Sequence, residues 1–366
     1  MIAFNNFMCI VLWGAMNESK LNMSKLAAES GQKPERSGSG RDNDSERLEL
    51  SQLGDIPPDK NDLNADVRKE DERLYQAGLK LYADIYEAVQ SEHGFSVDPA
   101  VSLIRKIITG LQEPKSLLIL TVGRDYRQDI IAHHSLNVAI LSLMVAGQMG
   151  VSGTSLVALG TAALLHDIGT ARVSQALYNK PAPLTDSELG ELRQRTVLSQ
   201  RVLGQLGDQY GYLATTASQV YERLDGTGYP SGLKGGDINE YARIIGLVDL
   251  YEALTHSRPH RARFLHFPAF REILRSGKQA FDRRCLKGLL NTVSLYPVRS
   301  YVRLNSGAVG RVLEADSRDP LRPRLKILFD AQKTPVSPER IIDLRENPLL
   351  FIVDAVAEGD LNSAAV

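Results

Sequence analysis

An adjacent histidine and aspartate end an almost wholly apolar stretch, and this pair restricts the structures open to the chain: Leu164-Leu165-His166-Asp167-Ile168-Gly169. A carboxylate taken out of water at the end of an apolar helix needs a partner. A divalent metal is one such partner, because imidazole nitrogen and carboxylate oxygen are common ligands. A His–Asp hydrogen bond at a helix end is the alternative. Gly169 is expected to let the chain turn away after the pair.

Two further apolar stretches carry polar residues that are costly to bury. Residues 130–149 are apolar on most of the helical circumference, which predicts the central helix of a bundle. His134 lies on one face of that helix together with Val138, Leu141 and Val145. In residues 238–254, Asp249 stands among aliphatic neighbours and must be paired or ligating. Buried histidine and aspartate side chains are therefore expected to converge.

Length and composition set the class of protein. With 366 residues, of which 43% are hydrophobic, the chain can form more than one core, and a helical domain of about 200 residues is expected. The formal charge of −1 gives no support for binding nucleic acid or an anionic membrane. Cys9 and Cys285 are too few for a disulfide framework or a cysteine-based zinc site, so a cytoplasmic location is expected.

The N-terminal region is predicted not to join the core. The first sixteen residues are apolar but too short to span a bilayer, and they lack the features of a signal peptide. Met16 and Met23 are alternative starts, which would make the apolar segment a start-site artefact; a short interfacial anchor is the weaker alternative. Residues 17–66 are polar, so residues 1–66 are interpreted as a disordered tail.

The segments on either side of the central region have distinct patterns. Residues 67–114 are predicted to form an amphipathic helical lead-in. Its first helix carries an apolar stripe of Leu74, Leu81, Ile85 and Ala88. This stripe is expected to pack on the next domain, and a dimer interface is the alternative. Thr185 and Glu188 predict a capping box. Short strands near residues 301–304, 308–313 and 324–329, with a hairpin at 305–307, predict a small β module over 296–357. The end after about Ala357 is expected to be frayed.

The region from about residue 117 to residue 281 resembles the HD-GYP family, bacterial cyclic di-GMP phosphodiesterases built on the all-helical HD phosphohydrolase fold. The resemblance implies a mainly α protein, with an HD-type helical bundle over residues 115–290. It rests on motifs in the family's order and at similar spacing: His134-Ser135-Leu136-Asn137-Val138, Leu165-His166-Asp167-Ile168-Gly169, Glu222-Arg223-Leu224-Asp225-Gly226-Thr227-Gly228-Tyr229-Pro230, Ala242-Arg243-Ile244, Asp249-Leu250-Tyr251-Glu252-Ala253-Leu254-Thr255 and Arg258-Pro259-His260-Arg261.

The resemblance also implies a site. Its metal ligands are His134, His166, Asp167 and Asp249, which would hold one divalent ion such as iron or manganese, and Asp167 is the candidate catalytic residue. A hydrogen-bonded core network without metal is the alternative. The candidate substrate-binding residues are Asp225, Gly228, Tyr229, Pro230, Arg243 and Arg258. The two arginines could bind phosphate, or they could pair with Asp225 or Glu222.

Four positions depart from the family pattern. Thr170 stands where the family has a lysine, and Arg195, Val220 and Tyr221 stand where it has ligand histidines. These departures predict one metal at most and weak or lost hydrolysis. The expected role is binding of cyclic di-GMP or a related nucleotide, or of a protein partner through the Gly-Tyr-Pro loop. The alternatives are an active one-metal phosphohydrolase and ordinary hydrolysis through substitute ligands, and a homodimer is compatible with each.

Overall fold

The structure is a computed structural model, and it describes residues 67–122, 126, 129–178, 180, 184–256, 263–275, 279–316, 319–356 and 361. The interpretation of residues 1–66 as a disordered tail concerns a segment outside these described residues. The described part is mainly helical, with a small antiparallel sheet near its C-terminal end. The expected fold class is therefore confirmed.

The helices in chain order are α1 (Lys69–Gln90), α2 (Asp98–Gly110), α3 (Pro114–Val122), α4 (Ile130–Gln148), α5 (Gly153–Leu165), α6 (Gln175–Tyr178), α7 (Asp186–Leu203), α8 (Gly211–Gln219), α9 (Glu240–Thr255), α10 (His266–Arg275) and α11 (Arg283–Thr292). A 3₁₀ helix follows α5 at Ile168–Arg172. The central helix α4 packs against α1, α3, α5, α9 and α11. By length and composition α4 could cross a membrane, but most of it is buried inside the bundle, so packing accounts for its apolar surface.

The buried face of α1 differs from the predicted stripe. Its buried apolar side chains are Tyr75, Tyr82, Ile85 and Val89, whereas the predicted Leu74, Leu81 and Ala88 are only partly buried. Gly78 lies on this face, and a Cβ there would come within 2.9 Å of the Leu136 side chain of α4. A tyrosine and glycine face gives no simple aliphatic pattern, which is why the sequence indicated the neighbouring stripe.

Helix α7 begins with the predicted capping box. The Thr185 hydroxyl accepts a hydrogen bond from the Glu188 backbone N–H at 3.4 Å, and the Glu188 carboxylate accepts one from the Thr185 N–H at 2.7 Å. These contacts satisfy two donors that the first turn of a helix leaves without partners. They fix the start of the helix that carries Arg195.

Gly169 lets the segment after the His-Asp pair pack directly on α7. A Cβ at Gly169 would lie 2.3 Å from the Arg195 carbonyl oxygen and 2.3 Å from the Ser199 nitrogen. The Gly169 N–H also donates to the Ser199 hydroxyl at 2.8 Å. Glycine is required here for close approach of two backbones, and this approach brings Asp167 next to α7.

The C-terminal sheet contains the three predicted strands and two others. Its strands are β1 (Tyr301–Leu304), β2 (Val309–Glu314), β3 (Arg324–Phe329), β4 (Pro335–Asp343) and β5 (Ile352–Val356), in the antiparallel order β4-β3-β2-β1-β5. Gly307, with φ of 89°, lies in the predicted β1–β2 hairpin. The two unpredicted strands are the sheet edges, and β4 contains two prolines, which are tolerated at an edge.

Candidate metal centre

Three of the four predicted metal ligands converge inside the helical bundle. His134 comes from α4, His166 follows α5, and Asp249 comes from α9; all three are buried. Nε2 of His134 lies 3.0 Å from Asp249 Oδ1, and Nε2 of His166 lies 3.2 Å from the same oxygen. One ligand atom from each residue lies within 4.8 Å of the other two. This is the spacing that a shared divalent ion requires.

The hydrogen-bond partners of Nδ1 in His134 and His166 orient both imidazoles for binding a metal through Nε2. His166 Nδ1 lies 2.7 Å from the Ala163 carbonyl oxygen, and His134 Nδ1 lies 2.5 Å from Glu252 Oε2. A carbonyl oxygen accepts and cannot donate, so the His166 Nδ1 carries the proton. The Glu252 carboxylate favours the same tautomer of His134. In the neutral rings, both Nε2 lone pairs then face Asp249, an arrangement typical of metal-binding histidines.

Without an ion, a proton takes part of this role. Burial disfavours the charged imidazolium of His134, but the charge of Glu252 and hydrogen bonds to Asp249 and Glu252 outweigh burial and raise its pKa to about 9. Burial also acts against the Asp249 carboxylate, but the two histidines more than compensate and lower its pKa below the usual range. The cluster therefore stabilises a positive charge next to Asp249.

Glu252 is a further buried member of the cluster that is absent from the predicted site residues. It lies one turn after Asp249 on α9, and its side chain is fully buried. Besides His134, its carboxylate accepts hydrogen bonds from the Tyr126 hydroxyl and, at 3.1 Å, from the Asn137 amide. The sequence does contain a signal for Glu252, because it is, like Asp249, an acidic residue within a largely apolar helix. Its role is to hold the His134 ring in the orientation that presents Nε2 to the cluster.

The substitution Glu252→Gln tests this positioning role. The glutamine amide would lose the charge that favours the Nδ1–H tautomer of His134, so we expect the affinity for Mn²⁺ to fall about 10- to 100-fold. Isothermal titration of the metal-stripped protein measures the change. Glu240→Gln, at an exposed position of the same helix, is the matched control and should bind Mn²⁺ like the unmodified protein. Equal affinity in both variants would show that Glu252 does not support the site.

The fourth predicted ligand, Asp167, lies beside the cluster and faces a cation. Its buried Oδ1 is 3.2 Å from Nε of Arg195, and Arg195 is itself only 1% exposed. Among the described residues no hydrogen-bond donor reaches this oxygen with good geometry. The assignment of Asp167 as a metal ligand and catalytic residue stays a prediction, and the observed contact is the ion pair with Arg195.

The loop at residues 222–234 is fixed by two carboxylates. Asp225 Oδ1 accepts hydrogen bonds from the Thr227 N–H at 3.0 Å and from its hydroxyl at 2.7 Å. Glu222, which is buried, accepts from the backbone N–H groups of Ser231 at 2.7 Å and Leu233 at 2.9 Å. Both carboxylates therefore stabilise the shape of the loop, and the predicted substrate-binding role of Asp225 stays a prediction.

The same loop places an aromatic side chain beside the cluster. A Cβ at Gly228 would lie 2.4 Å from the Arg223 nitrogen, so only glycine allows this backbone approach. The Tyr229 ring stacks on the Tyr221 ring, with centroids 5.2 Å apart and an interplanar angle of 1°. Pro230, which follows through a cis peptide bond, is exposed. The loop thus presents Tyr229 toward the site and Pro230 toward solvent.

The phosphate-binding role predicted for Arg243 and Arg258 stays a prediction. Arg243 donates to the backbone carbonyl groups of Ile238, at 2.9 Å, and Gly236, at 3.2 Å. Its carboxylate partner is Asp282, at 3.7 Å, rather than either of the predicted partners Asp225 and Glu222. These contacts brace the start of α9. Arg258 lies outside the described residues.

Parts of the chain are similar to known families and proteins. The family profile described as "HD domain" matches residues 123–285, and that described as "KOW domain associated with HD domain" matches residues 301–364. The cyclic di-GMP phosphodiesterase PA4108 of Pseudomonas aeruginosa is 33% identical over 64% of this chain and 56% of its own length. The 3'3'-cGAMP-specific phosphodiesterase 3 of Vibrio cholerae is 34% identical over 47% and 37% of the two chains.

The chain is similar to HD-GYP phosphodiesterases, and its residues 123–285 match the HD domain family. It spans about half the length of the first curated relatives that it matches. Among solved structures, a protein titled Bd1817, a HDG"Y"P protein from Bdellovibrio bacteriovorus, superposes with a TM-score of 0.51 at 16% identity. That match covers 64% of this chain and 73% of the other, and it supports the shared helical fold.

The four positions that are predicted to depart from the family pattern occupy different surroundings in the fold. Arg195 and Tyr221 are both buried. Arg195 contacts Asp167, and the guanidinium group of Arg195 lies over the ring of Tyr221. Thr170 is also buried, three residues after Asp167. Val220 is a fully buried member of the hydrophobic core. Two of the substituted side chains therefore lie beside the candidate metal centre, and one lies in apolar packing.

The raised pKa of His134 predicts how metal binding depends on pH. Because this pKa is about 9, His134 carries a proton at neutral pH, and an ion must displace it. We expect the affinity for Mn²⁺ to rise about tenfold per pH unit toward the pKa of His134 and then to level off. Isothermal titration in buffers of different ionisation enthalpy should detect about one proton released per ion at neutral pH. An affinity independent of pH would contradict the protonated state.

Proposed function

We propose that this chain is a degenerate HD-GYP protein of cyclic di-GMP signalling. It binds a cyclic dinucleotide or a protein partner, it holds one divalent ion at most, and its hydrolytic activity is weak or lost. The observation that supports this most directly is the buried guanidinium of Arg195, 3.2 Å from the carboxylate of Asp167. A cation of the protein itself thus occupies the neighbourhood in which the family would hold further metal.

The case for a single ion rests on ligands and charge. His134, His166 and Asp249 supply two imidazole nitrogens and one carboxylate oxygen within 4.8 Å of one another. A two-metal mechanism needs ions about 3.5–4 Å apart, each with its own ligands. Arg195 carries a permanent positive charge and offers no lone pair, so it repels a second ion and cannot ligate one.

The case for a cyclic dinucleotide rests on the relatives. The Pseudomonas relative is named for cyclic di-GMP and the Vibrio relative for 3'3'-cGAMP. Both ligands are cyclic phosphodiesters, and a site with a divalent ion and a buried arginine suits a phosphodiester group. A protein partner would instead contact the exposed part of the Gly-Tyr-Pro loop, where Pro230 faces solvent.

A second candidate function is that of an active phosphohydrolase with a one-metal site. The retained quartet of His134, His166, Asp167 and Asp249 favours it, as does the Asp167 Oδ1 that accepts no hydrogen bond from the described residues. A bound divalent ion would supply Lewis acidity and lower the pKa of a coordinated water. Here Asp249 and the two histidines would hold the ion, and Glu252 would fix the His134 ring.

Metal analysis beside two activity assays separates these candidates. The purified protein is analysed for metal per chain, and then for binding and hydrolysis of cyclic di-GMP and of 3'3'-cGAMP. One ion at most, nucleotide binding and slow or no hydrolysis would support the degenerate protein. One ion with sustained hydrolysis would support the phosphohydrolase. Failure to bind either nucleotide would leave the protein partner as the remaining form of the proposal, tested by loss of partner binding in Pro230→Ala.

A further inference from the structure

A group of arginine and tyrosine side chains lies beside the candidate metal centre. The guanidinium carbon of Arg195 lies 4.5 Å from the centroid of the Tyr221 ring, and that of Arg193 lies 5.1 Å from the Tyr229 ring. The two tyrosine rings are stacked in parallel, 5.2 Å apart. Guanidinium groups over aromatic faces are stabilised by cation–π attraction. The four side chains therefore hold one another in fixed orientations.

Both tyrosines of this group have buried hydroxyl groups. The hydroxyl oxygens of Tyr221 and Tyr229 are both buried, and neither has a hydrogen-bond partner among the described residues. Tyr221 as a residue is only 2% exposed. Buried hydroxyls are normally hydrogen-bonded, because leaving one without a partner is unfavourable. Two such donors side by side indicate a place where an acceptor binds.

Charge and protonation define the acceptor. Arg195 adds a planar fork of N–H donors that stays charged at every physiological pH. Burial raises the pKa of Tyr229 to about 12, and it raises the pKa of Tyr221 well above the ordinary value, so both phenols keep their protons and can donate. Several donors with one fixed positive charge match an oxyanion with several oxygens. Asp167 and Asp249 would repel such an anion, and Arg195 together with a bound divalent ion would offset that repulsion.

We propose that Arg195, Tyr221 and Tyr229 form a phosphate-binding site beside the metal ligands, in which the guanidinium provides the positive charge and the two phenols donate hydrogen bonds. This rests on the proposed function for its ligand, the phosphodiester of a cyclic dinucleotide. Arg195 and Tyr221 stand where the family has histidines, so these substitutions replace metal-binding side chains by anion-binding ones. Tyr229 belongs to the loop that reaches solvent, and its partly exposed side chain connects the phosphate-binding site to that loop.

The test measures binding of inorganic phosphate and of cyclic di-GMP to the full chain as purified, with metal content determined for every variant. We expect Arg195→Gln to weaken both ligands about 10- to 100-fold without lowering the metal content, because it removes a charged donor. Arg195→Lys keeps the charge but loses the planar fork, so its affinity should be intermediate. Arg201→Gln, at an exposed position of the same helix, is the matched control and should bind both ligands normally.

A second variant keeps the test decisive if Arg195→Gln does not fold. Tyr221→Phe removes one oxygen and leaves the ring stack intact, so it should weaken phosphate binding while raising the melting temperature of the ligand-free protein. A tyrosine with a purely structural role would not produce this opposite pair of effects. Unchanged phosphate affinity in Tyr221→Phe and Arg195→Lys would overturn the site, as would failure of the unmodified protein to bind phosphate or nucleotide.

The two ligands also separate this inference from the proposed function. Binding of phosphate that depends on Arg195, in a protein that binds no cyclic dinucleotide, would support the site and contradict the nucleotide ligand. Cyclic di-GMP binding that is unaffected by Arg195→Gln and Tyr221→Phe would support the nucleotide ligand and overturn the site. A second ion acquired by Arg195→Gln, together with an unchanged affinity for phosphate, would show that Arg195 serves only to exclude metal, which would also overturn the site.

Discussion

Replacement of Asp249 by leucine should abolish retention of a divalent ion. One oxygen of this carboxylate faces Nε2 of His134 at 3.0 Å and Nε2 of His166 at 3.2 Å, so the substitution removes the anionic member of the ligand group. Loss of a residue that only orients a ligand costs about 10- to 100-fold in affinity, and loss of the ligand itself should cost at least about 100-fold. Metal analysis after dialysis measures retention. Unaltered metal content in Asp249→Leu would remove Asp249 from the site.

The same substitution should also destabilise the protein, in a way that depends on pH. In the metal-free protein it breaks a buried pair with protonated His134, at a cost on the order of 3–5 kcal/mol at neutral pH. The pKa of His134 in the folded protein is raised to about 9 from an ordinary value near 6.5. Glu252 and Asp249 both raise this pKa, so the part of the stability that comes from the His134–Asp249 pair is present at low pH and is lost as the pH rises through the raised pKa.

Denaturant unfolding of the metal-free proteins measures this dependence. The difference in unfolding free energy between the unmodified protein and Asp249→Leu should shrink as the pH is raised past the pKa of His134. Glu240→Leu, at an exposed position near the start of the same helix, controls for the change in side chain. In a purely apolar setting the leucine would stabilise the protein. Higher stability of Asp249→Leu at neutral pH would therefore contradict the hydrogen-bonded cluster.

The parts of the site that the sequence predicted share one physical signal. His134 and Asp249 lie within largely apolar helices, His166 directly follows one, and burying these polar residues without partners would be costly. That argument does not depend on tertiary geometry, and the structure brings these three side chains together. Glu252 carries the same signal but is absent from the predicted ligand set, because that set follows the H…HD…D pattern of the wider HD superfamily and ends at Asp249.

Other features depend on contacts that local patterns do not contain. The ion pair of Arg195 with Asp167 forms because Gly169 lets the backbone approach α7, and neither residue's surroundings are visible in its own segment. The interaction of Arg243 with Asp282 joins the start of α9 to the start of α11. The edge strand β4 is mostly exposed and contains proline, so it lacks the alternating apolar pattern that revealed the inner strands.

Histidine at positions 195 and 221, combined with lysine at position 170, should raise the metal content before it raises hydrolysis. The variant Arg195→His/Tyr221→His removes the cation next to Asp167 and adds two imidazoles at buried positions beside the cluster. Two ions per chain are then expected in place of at most one. Val220→His is added last, since Val220 lies in the hydrophobic core, where an imidazole is costly.

Activity should follow only when the charge on the phosphodiester is stabilised from several sides. Loss of a single stabilising contact to a developing charge typically costs on the order of 10²–10³ in rate. The unmodified chain has threonine at position 170, and we propose that it holds no second ion, so its hydrolysis of cyclic di-GMP should be far slower than that of a family member with all its ligands. Thr170→Lys added to the double-histidine variant should then increase the rate while leaving the metal content unchanged.

The separation of the two measurements makes this prediction decisive. Arg201→His, at an exposed position of the same helix, controls for the mere addition of an imidazole and should add no tightly held ion. Two ions per chain with rapid turnover in the unmodified protein would contradict the degenerate site and place this chain among the active phosphodiesterases. The double-histidine variant could instead hydrolyse faster without holding additional metal. In that case no second ion would account for the higher rate, and the result would mean that Arg195 and Tyr221 obstruct the substrate in the unmodified protein.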